Sequence, residues 1–407
     1  MGANNIEEQG VPLMDDRWEG KRVYVIELED HAEVLASVLR QFCSAGWRTE
    51  VLTIPAIHQE ICQTIDNPQV KWTIGERKRP SGQLLQERGA MSKADFIVLL
   101  TSQRHVKAYA KFAFPSPVLA CVHNMNFSLA ERPRWYIPKT LRAARKMLFY
   151  FVTRGVIFEE LWYRRWMYKK KGVFISFLSD SLRLQLDTIA PKGGFALGPQ
   201  IRAARPQKKF YTRNSSPKRV KTWALPGSVD PKRRDYDTIY SALCHVLVEA
   251  PEVEIQLVLL GAATSNVATK IVRRFKALEH RFKQFSLRSF DHRIGQDLFE
   301  IIMFETDLIR APVKILTRYK IVREKYGRNK VSGAELDAIK YWTPTVIPGE
   351  YKTSGPFDVV FKRYDNTEEL EGVLLHEAKG GKDAVAWRKT MVDTVSSGLV
   401  DRGALTW

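Results

Sequence analysis

Tyr326-Gly327-Arg328-Asn329-Lys330-Val331-Ser332-Gly333-Ala334-Glu335-Leu336-Asp337-Ala338, with the apolar Thr345-Val346-Ile347-Pro348 behind it, reads as a turn, a helix start and a strand. Ser332 and Gly333 are small residues opening the expected helix, so free backbone N–H groups and the helix dipole there would form a site for a diphosphate. Asp337, one turn further, lies within reach of a ribose. Tyr326, Arg328 and Lys330 stand just ahead of the helix and add two cations. The parts together read as a grip for a nucleoside diphosphate.

A second set lies upstream. Pro226-Gly227-Ser228-Val229-Asp230-Pro231-Lys232-Arg233-Arg234-Asp235-Tyr236 is followed by Leu257-Val258-Leu259-Leu260-Gly261, an apolar strand closing in glycine. In this order the two sets resemble the donor-binding half of GT-B glycosyltransferases, in particular the family 4-like branch with a Tyr…Ser-Gly…Asp-Ala…Pro signature. The resemblance covers most of residues 220–350 well and the N-terminal half more loosely. It implies an α/β fold of two Rossmann-like, doubly wound domains facing across a cleft, with a nucleoside diphosphate sugar as donor substrate and no cofactor. The donor-binding residues it implies are Gly227, Ser228, Arg233, Arg234, Gly261, Tyr326, Arg328, Lys330, Ser332, Gly333 and Asp337. The pattern departs from the best-known retaining families at three places. Asn329 stands where the first of two glutamates would be, and Ser228 and Arg233 stand where an arginine and a lysine would be.

The N-terminal half supplies the other candidates. Arg22–Ile26, 48–54, 94–100, 117–122 and 172–176 read as buried parallel strands of a β-α-β series. His123 ends the strand 117–122, at the edge that lines the cleft in such folds, where similar enzymes place a histidine near the donor sugar. His31 and Asp30 follow the first strand and suit the acceptor side, where a general base would act in an inverting enzyme. Each has a simpler reading: His123 as a core histidine bonded to backbone, Asp30 as an N-cap. The catalytic candidates are thus His123, Arg233, Asp30 and His31.

The 407 residues exceed a single core, and 44% hydrophobic content can fill two. The expected division is a disordered leader (1–17), an acceptor domain (18–201), a basic linker (202–221), a nucleotide-sugar domain (222–350) and a strand with helices that pack back, on the first domain in the usual GT-B manner (351–407). The net charge of +19 predicts an anionic partner. Cys43, Cys62, Cys121 and Cys244 show no Cys-x-x-Cys spacing and no metal-ligand pattern, so they read as buried thiols and no metal site is expected. The leader lacks a signal-peptide core and no apolar run is long enough to span a bilayer, which points to a cytoplasmic protein with peripheral membrane contact.

That contact is expected at residues 132–172, where twelve Lys or Arg and ten aromatics face two Glu. Aromatics can sit at the headgroup boundary while cations pair with lipid phosphates, although several of the aromatics belong to the first domain's core. The expected activity is therefore transfer of a hexosyl group to a lipid-linked or polysaccharide-precursor acceptor at the inner membrane face. Retention of configuration is implied by the resemblance alone. Metal is not expected to be needed, because no Asp-x-Asp motif is picked out and cations and a helix terminus can offset the leaving charge. An epimerase of the same fold, a non-catalytic GT-B-like scaffold and a basic nucleic-acid-binding protein are the alternatives. Against the last stands the lack of a helix-turn-helix, zinc finger or RNA-recognition signature.

Overall fold

The computed structural model describes residues 20–397 except 30, 63–64, 66, 77–84, 86–88, 131–136, 139, 154–159, 192–193, 202, 205, 207–219, 320–321 and 354. The expected leader, most of the expected linker and residues 398–407 lie outside the described residues.

Six parallel strands form the first sheet: β1 (Arg22–Glu27), β2 (Arg48–Thr53), β3 (Val70–Ile74), β4 (Phe96–Leu99), β5 (Val118–Val122) and β6 (Val173–Phe177). Their order is β3-β2-β1-β4-β5-β6, with the crossover at β1 that defines a doubly wound sheet. Val23 to Ile26 and Ile97 to Leu100 are buried residue after residue, as strands covered on both faces must be. Helix α1 (Ala32–Ser44) lays Val34, Leu35, Val38, Leu39 and Phe42 on the sheet at spacings of three and four. Strand β3 escaped the sequence reading because it lies at the sheet edge and mixes polar with apolar residues (Val-Lys-Trp-Thr-Ile).

The second sheet has the order β14-β13-β10-β7-β8-β9 and is also parallel. Its strands are β7 (Val220–Pro226), β8 (Glu254–Ala262), β9 (Phe285–Phe290), β10 (Leu308–Arg310), β13 (Thr345–Pro348) and β14 (Phe361–Tyr364), and a separate antiparallel hairpin joins β11 (Leu316–Tyr319) to β12 (Val322–Lys325). The first core runs from Val23 to Ala203 and the second from Ala204 to Met391, so the chain builds two Rossmann-like units.

The C-terminal elements correct one expectation. The helix Thr367–Lys379 and the helix Lys382–Ser396 bury Leu370, Leu374, Trp387 and Met391 in the second core, not on the first domain. Asn366 caps the former by accepting from the Glu369 N–H (2.8 Å), and Gly380 ends it at φ 64°. The Trp387 indole N–H donates to the Val359 carbonyl (2.7 Å), tying the last helix to the strand β14 side of the same domain.

Arg310, at the end of β10, is fully buried, and none of its guanidinium nitrogens has a hydrogen-bond partner among the described residues. Its guanidinium lies 3.8 Å from the Trp223 ring centroid, and burial pushes its pKa well down. Burying an unmatched cation costs more than a stacking contact returns. Arg310→Leu is expected to stabilise the protein by roughly 1–2 kcal/mol in urea unfolding. Destabilisation would mean that the cation–π contact outweighs the desolvation.

Candidate functional site

A cleft of about 380 Å³ opens between the two sheets, lined from the first by Glu33, Val34 and Glu60 and from the second by Gly227, Ser228, Gly261, Gly333, Asp337, Lys340 and Tyr341. Five of the sequence-derived residues thus meet in one place. Gly227 follows β7 with φ +88°, where a side chain would run into the Arg234 guanidinium. A Cβ on Gly261 would collide with the backbone of Gly227 and Ser228, so the two glycines let the ends of β7 and β8 touch; the Gly227 N–H donates to the Leu260 carbonyl (3.0 Å). Arg234 is buried and donates to the carbonyls of Ser228 (2.7 Å) and Pro226 (2.6 Å). It clamps the glycine turn from behind.

The helix of the opening motif spans Gly333–Lys340, as its capping pattern requires. Ser332 is its N-cap, accepting from the Ala334 N–H at 3.3 Å. The Ser332 N–H is itself engaged: it donates to the Tyr351 hydroxyl (2.9 Å), which donates to Glu335 (2.5 Å). The other Glu335 oxygen accepts from Ser179 of the first domain at 2.9 Å. Ser332 therefore holds the helix start in place rather than offering its own amide to a ligand. Gly333, exposed and with open space beside its Cα, is the residue of the pair that faces the cleft. Burial raises the Glu335 carboxyl to about 7, against the lowering effect of its two hydroxyl donors. Burial likewise raises Asp337 to about 7; Lys340 opposes this and Glu33 across the cleft adds to it.

A second group sits beside the cleft. Arg233 donates to the Tyr326 hydroxyl (2.9 Å), and the Lys330 ammonium lies 5.4 Å from the Tyr326 ring centroid. His31 and His123 stack with centroids 4.7 Å apart, at the carboxyl ends of β1 and β5. The His123 Nε2 lies 2.6 Å from the Leu100 carbonyl. A carbonyl can only accept, so Nε2 carries the proton and Nδ1 is the acceptor. Burial, then the His31 ring, depresses the His123 pKa to about 3, with Lys330 contributing in the same direction, so the ring is neutral. Arg328 is exposed, and Asp30 lies outside the described residues. His31 caps helix α1 without a side-chain cap bond.

The same turn joins the domains. The Met125 N–H donates to the Asn329 carbonyl (2.9 Å), Asn124 bridges Lys330, and the Asn126 side chain donates to the Arg323 carbonyl at 2.9 Å. Asn329, in the place of a family glutamate, uses its side-chain oxygen to hold the Lys325 amide. Glu324 accepts from the Phe127 N–H (3.0 Å) and has no partner for its second oxygen among the described residues. Burial raises its carboxyl to about 8. A folded-state pKa above the unfolded one means the folded protein holds the proton longer. That contribution is complete below about pH 4.5 and is lost as pH rises through about 8. Glu324→Gln is therefore expected to flatten the fall in urea stability between about pH 5 and about pH 8, removing up to about 1.4 kcal/mol per pH unit. Parallel curves for variant and wild type would show that Glu324 titrates normally.

Several lining residues were not legible in the motifs. Arg293 reaches across to Glu60 (2.5 Å), and Lys340 bonds Glu300 (3.2 Å) and the Tyr341 hydroxyl (2.9 Å). Only Lys340 carried a signal, standing one turn after Asp337 on the same helix face. An Asp-x-Asp triplet does occur, Asp235-Tyr236-Asp237. Its carboxylates have structural partners: Asp235 caps the helix Tyr236–Glu249 through Thr238 (3.3 Å), and Asp237 pairs with Arg274. Among the described residues no group of three His, Cys, Asp or Glu is placed to hold a metal ion.

The basic aromatic segment divides in two. In the helix Glu160–Lys169, Arg164 is buried and donates to the Phe127 (2.8 Å) and Ala130 (3.0 Å) carbonyls, Tyr168 is core, and the Lys170 ammonium that follows caps the Ala110 carbonyl (3.1 Å). These serve the fold. The helix Leu141–Tyr150 is different, with Leu141, Leu148 and Phe149 exposed beside Arg142, Arg145 and Lys146, and with Phe151, Val152 and Trp166 also exposed. Trp135, Tyr136 and Phe158 lie outside the described residues. No helix among the described residues is long and apolar enough to cross a membrane.

No protein-family model and no curated protein sequence matches the chain. Among solved structures it is similar to Anabaena HepE in complex with UDP, with 12% identity, coverage of 94% of this chain and 95% of that one, and a TM-score of 0.55. It is also similar to an S. aureus TarM variant solved with fondaparinux, alpha-GlcNAc-glycerol and UDP (8% identity, 94% and 98% coverage, TM-score 0.54). A third is the pneumococcal O-GlcNAc transferase GtfA with UDP and GlcNAc (9% identity, 94% and 99% coverage, TM-score 0.50). The likeness establishes the fold as GT-B, two Rossmann-like domains facing across a cleft.

Proposed function

We propose that the protein is a glycosyltransferase that moves a hexosyl group from a nucleoside diphosphate sugar to a lipid-linked or polysaccharide-precursor acceptor. The observation that carries this reading is the convergence of Gly227, Ser228, Gly261, Gly333 and Asp337 on one interdomain cleft. Proteins of similar shape were solved with UDP, one of them also with glucose. In the proposal the glycine turn lets a diphosphate approach the backbone, Gly333 presents the helix N-terminus to it, and Asp337 accepts from the ribose. Arg233 and Lys330 offset the negative charge that builds on the diphosphate as the bond from the sugar C1 to its oxygen breaks. A hydroxyl of the acceptor forms the new bond to C1, and its proton passes to a phosphate oxygen of the leaving group. This route retains configuration and requires neither a dedicated base nor a metal. In this proposal His123, neutral and with Nδ1 as acceptor, orients a sugar hydroxyl, and His31, stacked on it, serves the acceptor side.

The test is a thermal-shift screen with UDP, GDP, TDP, CMP and ADP, each with and without EDTA. A selective rise in midpoint identifies the base, because a ligand of the native state stabilises it by mass action. No shift with any of them at millimolar concentration overturns the donor site. Loss of the shift on adding EDTA overturns only its metal independence.

The exposed face of the helix Leu141–Tyr150 fits an anionic bilayer at the inner membrane surface, with Leu148 and Phe149 entering the headgroup boundary and Arg142, Arg145 and Lys146 pairing with phosphates. Leu148→Ser/Phe149→Ser is expected to cut co-sedimentation with phosphatidylglycerol vesicles by roughly tenfold. Nucleotide binding should stay unchanged. Equal sedimentation would remove the membrane from the proposal.

A further inference from the structure

Besides the interdomain cleft, the first domain contains a pocket of about 540 Å³ lined by Arg22, Tyr24, Arg48, Thr49, Glu50, Lys71 and Lys93. It opens at the other end of the first sheet from the cleft. Arg22 begins β1, Arg48 begins β2, Lys71 is the second residue of β3, and Lys93 precedes β4. The cleft, by contrast, lies at the carboxyl ends, beyond His31 and His123. The pocket is therefore separate from the donor and acceptor sites.

Its lining sets four cations against one carboxylate. Arg22 and Arg48 are direct register partners on neighbouring parallel strands, spaced about 4.8 Å apart, where like charges repel. Lys71 faces Glu50 in register, the one carboxylate of the lining, and Lys93 adds a fourth cation. Among the described residues none of the four cationic side chains forms an ion pair; nearby Asp95 accepts from the Arg22 backbone N–H (2.8 Å) and pairs with Lys21 (3.5 Å). Thr49 is buried, with a hydroxyl that has no hydrogen-bond partner among the described residues. The pocket is several times the size of one phosphate and falls within the range of small-molecule sites.

We infer that this pocket binds a ligand carrying two or more phosphate groups, at a site independent of the nucleotide cleft. Arg22 and Arg48 would bracket one phosphate, relieving their mutual repulsion, and Lys71 and Lys93 would meet the next. The phosphates could come from a free polyphosphorylated molecule or from a lipid headgroup.

The experiment is calorimetric titration of inorganic tripolyphosphate into the protein saturated with UDP, or into the Arg233→Ala protein if UDP does not bind. One equivalent is expected to bind, with affinity falling by roughly tenfold or more in Arg22→Gln/Arg48→Gln and in Lys71→Gln/Lys93→Gln. The second pair keeps the test open if the first fails to fold. UDP affinity should be equal in all. Absence of binding, or equal tripolyphosphate affinity in a folded variant, overturns the inference. Vesicles containing phosphatidylinositol 4,5-bisphosphate then separate the sources: weaker sedimentation of the variants than of wild type assigns a lipid headgroup, and equal sedimentation assigns a free ligand.

Discussion

Gly261→Ala is expected to lower nucleotide affinity by roughly a hundredfold and to destabilise the protein by about 1–3 kcal/mol. The added methyl would occupy the space of the Gly227 carbonyl and the Ser228 amide, and backbone at a strand end cannot swing aside like a side chain. Either β7 and β8 separate at their tips or the 227–228 turn moves, and each outcome displaces the floor of the cleft. Calorimetric titration with UDP, paired with urea unfolding, reads both effects. Gly372→Ala, in the helix Thr367–Lys379 and outside the cleft lining, is the control, because a methyl there meets nothing within 4 Å. Gly261→Ala with wild-type affinity would show that the glycine turn takes no part in binding.

The second large effect concerns charge. Arg233→Ala, or Lys330→Met to preserve packing between the Tyr319 and Tyr326 rings, is expected to lower turnover by roughly a hundredfold with a smaller change in donor KM. Both cations lie together on Tyr326, and burial already lowers the Lys330 pKa. A cation that is partly stripped of water interacts more strongly with charge developing in the transition state than a solvated one. Arg328→Ala, at an exposed neighbouring position, should leave turnover unchanged. Equal loss in all three would point to a general effect of surface charge.

The fold was readable because its decisive features are local. Runs such as Val23–Ile26 can only be covered strands, and the Ser332-Gly333 start announces a helix without help from distant residues. The residues that converge on the candidate cleft were readable in part for the same reason: Gly227 and Gly261 each close a strand, and Asp337 follows its helix start by one turn. What stayed hidden depends on contacts between segments far apart in the chain. Nothing near Ser332 tells that Tyr351 takes its amide, or that Ser179 of the other domain completes that chain through Glu335. Likewise, Arg164 and Lys170 look like membrane cations in the sequence and turn out to tie backbone carbonyls within the first domain. Cation count reports charge, and only packing decides whether the charge is available.

The backbone contacts of residues 124–127 with residues 323–330 carry a mechanical consequence. They join the two domains through the backbone, whereas the Glu60–Arg293 pair joins them through side chains. Because Lys330 belongs to this seam, a cation of the proposed leaving-group site is tied through its backbone to both domains at once.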